Sequence, residues 1–406
     1  KNKVPSYLED QLTKDVINRS IEYEADSQQY SIIKRTIMIS LDWGLIFLGY
    51  NIIDQFIRIH LSNHYIRGLV FFGLLGLISL IFQLPFSVYH DFFLEKKYGF
   101  NKKTWKIFIL DLFKTIIIGI IIGGILLVLI LFIMKNTGSF WWIFAFVSIA
   151  FFQLVFLWIY PLLIAPLFNK FTPLKDNLAE SIENLARRIG FKTSGIYTMD
   201  GSKRSEHSDA YFTGIGKAKR IVFFDTLIQK LEPQEILAVL GHEMGHFKLG
   251  HVRKILLLTM TSLFLFFVFL AYLKEIPVFY PSFGFAYQSD YAAIIIFSLL
   301  FSELMFPFQY IVSRLSRHHE FAADRFAVQA LSDSKALETS LIKLHKDNLS
   351  CPWVHPYYAA FYYSHPALEE RLNSIRKNRQ DRSDAGSNLP DSNSSQKCHN
   401  PGSIAT

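Results

Sequence analysis

Residues 107–134 read IFILDLFKTIIIGIIIGGILLVLILFIM, and this run decides the fold class. After Lys114 it carries no charged side chain until Lys135. A helix that crosses a bilayer needs about 20 mostly apolar residues, and this run supplies them. Working outward, five more stretches of the same kind lie at about 37–57, 68–89, 140–165, 255–273 and 291–312. Pro85 falls near the end of the second, and Trp141 and Trp142 open the fourth at an interfacial position. A chain that is 51% hydrophobic, with 39 Phe, is not an ordinary soluble protein. The expected fold is mainly α, a polytopic helical bundle in a lipid bilayer.

The segments between the spans set the domain plan. Residues 1–36 are polar, 37–165 hold four spans, and 255–312 hold two. Residues 166–254 and 313–378 read as largely soluble, and 379–406 as a disordered polar tail. In 166–254, Leu178, Ile182, Leu185 and Ile189 recur at helical spacing, and Gly190 is placed to cap that helix. Strand-like runs follow at 195–199, 209–214 and 220–225, the last two joined as a hairpin by Gly-Ile-Gly-Lys-Ala-Lys. Pro233 suits the first turn of the next helix. Residues 313–378 read as helices broken at Pro352, Pro356 and Pro366.

The formal charge of +8 is explained by loops, not by nucleic acid. Lys96, Lys97, Lys102, Lys103 and Lys106 crowd one loop, and the 166–254 segment is also basic. The loops at 58–67 and 135–139 are poor in positive charge. The basic loops are expected on the cytoplasmic side, with both soluble segments. Two cysteines, Cys351 and Cys398, make neither a disulfide framework nor a Cys-based zinc site. Within the third span Asp111 is expected to pair at i+3 with Lys114, and Glu303 sits inside the sixth. The sequons at Asn18, Asn348 and Asn393 fall on the cytoplasmic side and are expected to stay unglycosylated.

The chemistry sits in Gly241-His242-Glu243-Met244-Gly245-His246, a His-Glu-x-x-His run. Residues i and i+4 share a helix face, so two imidazoles can bind one Zn²⁺. The intervening Glu243 projects beside the metal, where it can take a proton from a water. A catalytic zinc needs a third protein ligand. The candidates lie in Arg317-His318-His319-Glu320-Phe321-Ala322-Ala323-Asp324. Glu320 and Asp324 share a face; Glu320 can ligate while Asp324 holds a ligand histidine from behind. His318 and His319 remain rival ligands. Two spans separate His246 from Glu320, and an even number returns the chain to one side. The run Ala210–Thr213 can bind a substrate backbone as an added strand.

Taken together these residues resemble the zinc-dependent type I CAAX prenyl proteases. The resemblance covers about residues 80–375. It rests on Tyr98-Gly99-Phe100-Asn101-Lys102, on Ile164-Ala165-Pro166-Leu167-Phe168-Asn169-Lys170-Phe171-Thr172-Pro173-Leu174, and on Ser202-Lys203-Arg204-Ser205. It also rests on Ala210-Tyr211-Phe212-Thr213-Gly214, the His242–His246 run, Glu320–Asp324 and Ser364-His365-Pro366. It implies one Zn²⁺ per chain on His242, His246 and Glu320, with Glu243 as base and His365 on the substrate and its oxyanion. It implies a ring of helices around an intramembrane chamber, capped by a zincin-like protease domain. It implies removal of the C-terminal tripeptide from farnesylated CAAX proteins, some members also cutting near the N-terminus of a prenylated precursor. The membrane is then that of the endoplasmic reticulum or nuclear envelope, or a bacterial inner membrane.

Two departures stand out. The family has seven spans and six are read here, so a first span is expected upstream of Lys1. The family usually has Asn where this chain has Asp209. An ionised carboxylate donates no hydrogen bond, so Asp209 is expected to weaken the hold on a substrate backbone or to add charge near the metal. The rival readings are an HtpX-type quality-control protease, a transporter with a fortuitous zinc motif, and a silent scaffold.

Overall fold

The computed structural model describes residues 12–213, 219–331, 333–351 and 354–387. Six long helices fit the expected spans: α1 (Lys14–His60), α2 (His64–Tyr98), α3 (Trp105–Asn136), α4 (Gly138–Phe168), α8 (His251–Lys274) and α9 (Asp290–Leu331). Between them stand α5 (Asn177–Ile189), α6 (Asp225–Lys230) and α7 (Pro233–Lys248); after them come α10 (Ser334–Asp347), α11 (Pro356–Tyr362) and α12 (Leu368–Ser387).

Where the long helices bury residues explains the architecture. One buried cluster joins Tyr50 and Ile57 near the end of α1, Phe71 at the start of α2 and Leu131 at the end of α3. It continues through Trp141 at the start of α4, Phe267 late in α8 and Tyr291 at the start of α9. All of these lie toward one end of their helices, the end remote from the soluble segments. Away from it the helices open. Ile120, Phe151, Leu257 and Phe308 are all exposed although they sit inside spans. Five of the six spans bury at most 11% of their most apolar window. In a solid bundle each helix buries an apolar stripe. The helices here meet mainly at one end and bury little beyond it, and the protease part lies at the other end.

That protease part has its own core, in which Ile182, Phe223, Ile236, Leu240 and Met244 are buried together. A four-stranded sheet lies in it, in the order β1-β2-β4-β3, from β1 (Phe171–Pro173), β2 (Ile196–Met199), β4 (Arg220–Phe224) and β3 (Ala210–Thr213). β3 pairs antiparallel with β4, as the hairpin reading requires; its tip, residues 214–218, lies outside the described residues. Because β3 ends the order, one of its edges carries no partner strand among the described residues. The short β1, which pairs with β2, was not expected. Gly190 caps α5 at φ 77°, a left-handed position that favours glycine. Pro233 opens α7 beside a reciprocal Glu232–Glu235 cap.

The structure departs from the expected plan in four places. The polar segment 1–36 is no separate unit: from Lys14 it is the first half of α1, with a π-helical turn at Leu45–Gly49. No helix break marks 312, since α9 runs unbroken through Pro307 to Leu331. The switch from apolar to charged residues marks the end of a span, not of a helix. The tail expected to be disordered from 379 is helical to Ser387; residues 388–406, with Asn393 and Cys398, lie outside the described residues, as does Pro352. Finally, Asp111 pairs not with Lys114 but with Arg204, at 2.9 and 3.0 Å, while Lys114 donates to the Leu167 carbonyl at 2.7 Å.

Candidate metal centre

The centre forms where α7 crosses α9, and small residues make that crossing close. A Cβ on Gly245 would meet the Ala323 Cα at 3.1 Å and its carbonyl oxygen at 3.2 Å. One on Gly241 would meet the Ala327 Cα at 3.5 Å. Glycine facing alanine lets the two backbones approach, and that approach carries Glu320 up to the histidines.

Three donor atoms converge there. His242 Nε2 and His246 Nε2 are 3.1 Å apart. Glu320 reaches His246 Nε2 with Oε1 at 3.2 Å and His242 Nε2 with Oε2 at 3.4 Å. Tetrahedral ligands at zinc bond lengths stand about 3.3 Å apart, so the spacing fits a zinc-sized ion. Oε2 also lies 2.9 Å from His365 Nδ1, so imidazoles ring the buried carboxylate. A buried carboxylate is costly unless something cationic completes it. His242, His246 and Glu320 form the one such ligand cluster found among the described residues.

The rival ligands drop away. His319 is buried with neither ring nitrogen hydrogen-bonded, and its ring stacks on His251 at 3.8 Å. Neither His318 nor His319 joins the cluster.

Each ligand imidazole is held from behind. Asp324 Oδ1 lies 2.8 Å from His242 Nδ1. Arg371 clamps Asp324 with two bonds, 2.9 Å from Nε and 2.7 Å from Nη2. His251 Nδ1 lies 3.0 Å from His246 Nδ1. Burial by itself would lower the pKa of His242, but Asp324 and Glu320 outweigh it and raise it to about 9. The pocket therefore attracts positive charge, a proton when no metal is there. Burial raises the carboxyl of Glu243, against the pull of the two histidines. A base with a raised pKa holds an abstracted proton better than an ordinary carboxylate.

Of the expected substrate residues, Ala210, Tyr211, Phe212 and Thr213 make up β3. Asp209, just before it, accepts the Ala210 N–H at 2.8 Å. Asp209 is exposed, yet the surrounding protein displaces enough water to push its carboxyl up. Burial likewise takes the Tyr211 hydroxyl to about 12.

Sequence reading missed Arg371, His251 and a second buried node. In that node Glu95, on α2, accepts from Tyr23 Oη at 2.7 Å and meets His207 Nε2 at 3.1 Å. His207 also contacts Asn348 Oδ1 at 3.2 Å, and Phe100 stacks on its ring at 4.0 Å. Around it the Tyr98–Lys102 and Ser202–Ser205 runs clasp: Lys102 N donates to the Arg204 carbonyl and Glu206 N to that of Phe100. His207 is two residues from Asp209, so the node fixes where β3 begins. A buried excess of acid, in Glu243, Glu320 and Asp324, was the one available signal for Arg371.

Known proteins resemble this chain along most of its length. Residues 1–170 match the CAAX prenyl protease N-terminal domain, described as five membrane helices, and residues 174–379 match peptidase family M48. The chain is 36% identical to CAAX prenyl protease 1 of Saccharomyces cerevisiae, covering 92% of this chain and 88% of that one. It is 38% identical to the human CAAX prenyl protease 1 homolog over 77% of this chain and 74% of that one. The crystal structure of S. mikatae Ste24p superposes with a TM-score of 0.85 at 35% identity, covering 92% of each chain.

Proposed function

This chain belongs to peptidase family M48 and is a multi-span membrane metalloendopeptidase of the CAAX prenyl protease type, and on that premise we propose that it removes the C-terminal tripeptide from farnesylated CAAX proteins with one zinc ion. The observation that carries the reading is the convergence of His242, His246 and Glu320 at metal-ligand spacing.

A zinc ion held there would polarise the scissile carbonyl and acidify an attacking water. The chain's own residues do the rest. Glu243 takes the proton of that water and passes it to the leaving amine. The unpartnered edge of β3, Ala210–Thr213, receives the substrate backbone as an added strand, which fixes the scissile bond without reading side chains. Asp209, whose carboxyl is pushed up by lost hydration, stands just before that edge, and in its acid form it would donate to the backbone as an amide does. His365, 2.9 Å from Glu320 Oε2 and largely exposed, stabilises the tetrahedral oxyanion. The space between the spans takes the prenyl chain, which is apolar. The basic loops put the protease part on the cytoplasmic side, of the endoplasmic reticulum membrane in a eukaryote.

The test is hydrolysis of a farnesylated CAAX peptide by detergent-purified protein, beside its unprenylated twin. The reading expects release of the tripeptide, abolished by chelation and weaker without the prenyl group. Equal cutting of both peptides would move the chain to broad quality control; no cutting by protein with bound zinc would sink the reading.

A further inference from the structure

The Asn169-Lys170 and Lys203-Arg204 pairs stand in two of the sequence signatures, yet neither touches the metal centre. They meet in a separate cavity of about 780 Å³, which shares no lining residue with the pocket around His365 and Arg371. The cavity opens where α3 and α4 reach the protease end of the membrane. Its one side is apolar, from Ile107 and Leu110 on α3 with Leu167 and Phe168 on α4. Its other side is cationic: Lys114, Lys170, Lys203, Arg204 and Arg220 face only Asp111 and Asp200.

The two carboxylates are already taken. Asp111 holds Arg204 in a two-pronged bond, and Asp200 Oδ2 is 2.6 Å from Lys203 Nζ. The other three cations have no carboxylate partner among the described residues. Lys114 donates to the Leu167 carbonyl, and Arg220 lies over the Tyr197 ring at 5.1 Å. The exposed Lys170 ammonium has no partner among the described residues. Exposed Trp105, at the start of α3, sits where an aromatic residue marks a membrane interface.

We propose that this cavity binds the headgroup of an anionic phospholipid from the leaflet on the protease side. A basic pocket between spanning helices at the membrane surface suits such a headgroup: the charge meets Lys114, Lys170 and Arg220, and the acyl chains run down the apolar face of α3. Charge complementarity selects the class. A zwitterionic lipid brings no net negative charge to a site that is already cationic. The lipid would brace β1 and β2 against α3 and α4, a seam that Arg204 and Asp111 already cross.

The test uses the full chain, stripped of lipid in detergent, with native mass spectrometry to count retained lipid. It is titrated with short-chain phosphatidylserine, with short-chain phosphatidylcholine and with inorganic phosphate. Phosphatidylserine should bind at least tenfold more tightly than phosphatidylcholine. The double variant Lys114→Gln/Lys170→Gln should lose roughly fivefold per charge. A control of equal net charge, Lys346→Gln/Lys377→Gln, should lose little, and Lys114→Arg/Lys170→Arg should bind as the native chain does. Equal binding of the two lipids would overturn the proposal, as would equal losses in the two Gln variants. Inorganic phosphate binding as tightly as phosphatidylserine would also overturn it, as a soluble anion site.

Discussion

Glu320 and Glu95 are both buried glutamates on long helices, and both meet histidine. They differ in what surrounds them. Glu95 is complete: Tyr23 supplies one oxygen and His207 the other. Glu320 meets imidazoles on both oxygens, from His242, His246 and His365, and the Nε2 atoms of His242 and His246 face each other across the same space. A buried carboxylate closed by a hydroxyl and one imidazole ties elements together; one ringed by imidazoles is a ligand in waiting. The first is a clasp between the membrane helices and β3, the second the centre that β3 serves.

If that division is right, substitutions at the two nodes separate chemistry from architecture. The largest effect belongs to Glu243, which should act on the reaction alone. Glu243→Gln is expected to cut turnover by roughly 10²–10⁴-fold while metal content stays unchanged. Zinc analysis beside a peptide assay checks both halves.

Gly245→Ala attacks the crossing that delivers Glu320. Its Cβ would meet backbone atoms of Ala323, which cannot swing aside as a side-chain tip can. Overpacking of this kind costs about 1–3 kcal/mol, and here it should also weaken metal retention against a chelator. Glu95→Gln, by contrast, is expected to cost about 1–3 kcal/mol in thermal stability with metal retention intact. Were Glu95→Gln to release the metal, the two nodes would not be separable.

The smallest effect is a pH dependence at Asp209. Burial raises its folded pKa, so the donating acid form is present below that value and lost as pH rises through it. Asp209→Asn keeps a donor at every pH. The ratio of kcat/KM, variant over native, should therefore rise with pH. A flat ratio would remove Asp209 from substrate binding.

The same contrast explains what the sequence disclosed. His242, Glu243 and His246 were legible because four residues on a helix are also one face in space. Glu320 and Asp324 were legible by the same spacing, joined to the first pair by the parity of two spans. Arg371, His251 and Glu95 were not, since each acts across a tertiary contact that no local period encodes. The continuity of α9 was hidden for another reason. Arg314, Arg317, His318 and His319 end the apolar run, but none of them stops a helix. β1, three residues long and ending in proline, was too short to carry an alternation.

The most direct test of the central claim is zinc per chain in the purified native protein, Glu320→Ala and Glu95→Gln. The account predicts one zinc in the native chain and in Glu95→Gln, and none in Glu320→Ala. Full zinc in Glu320→Ala, in protein that remains folded, would contradict it.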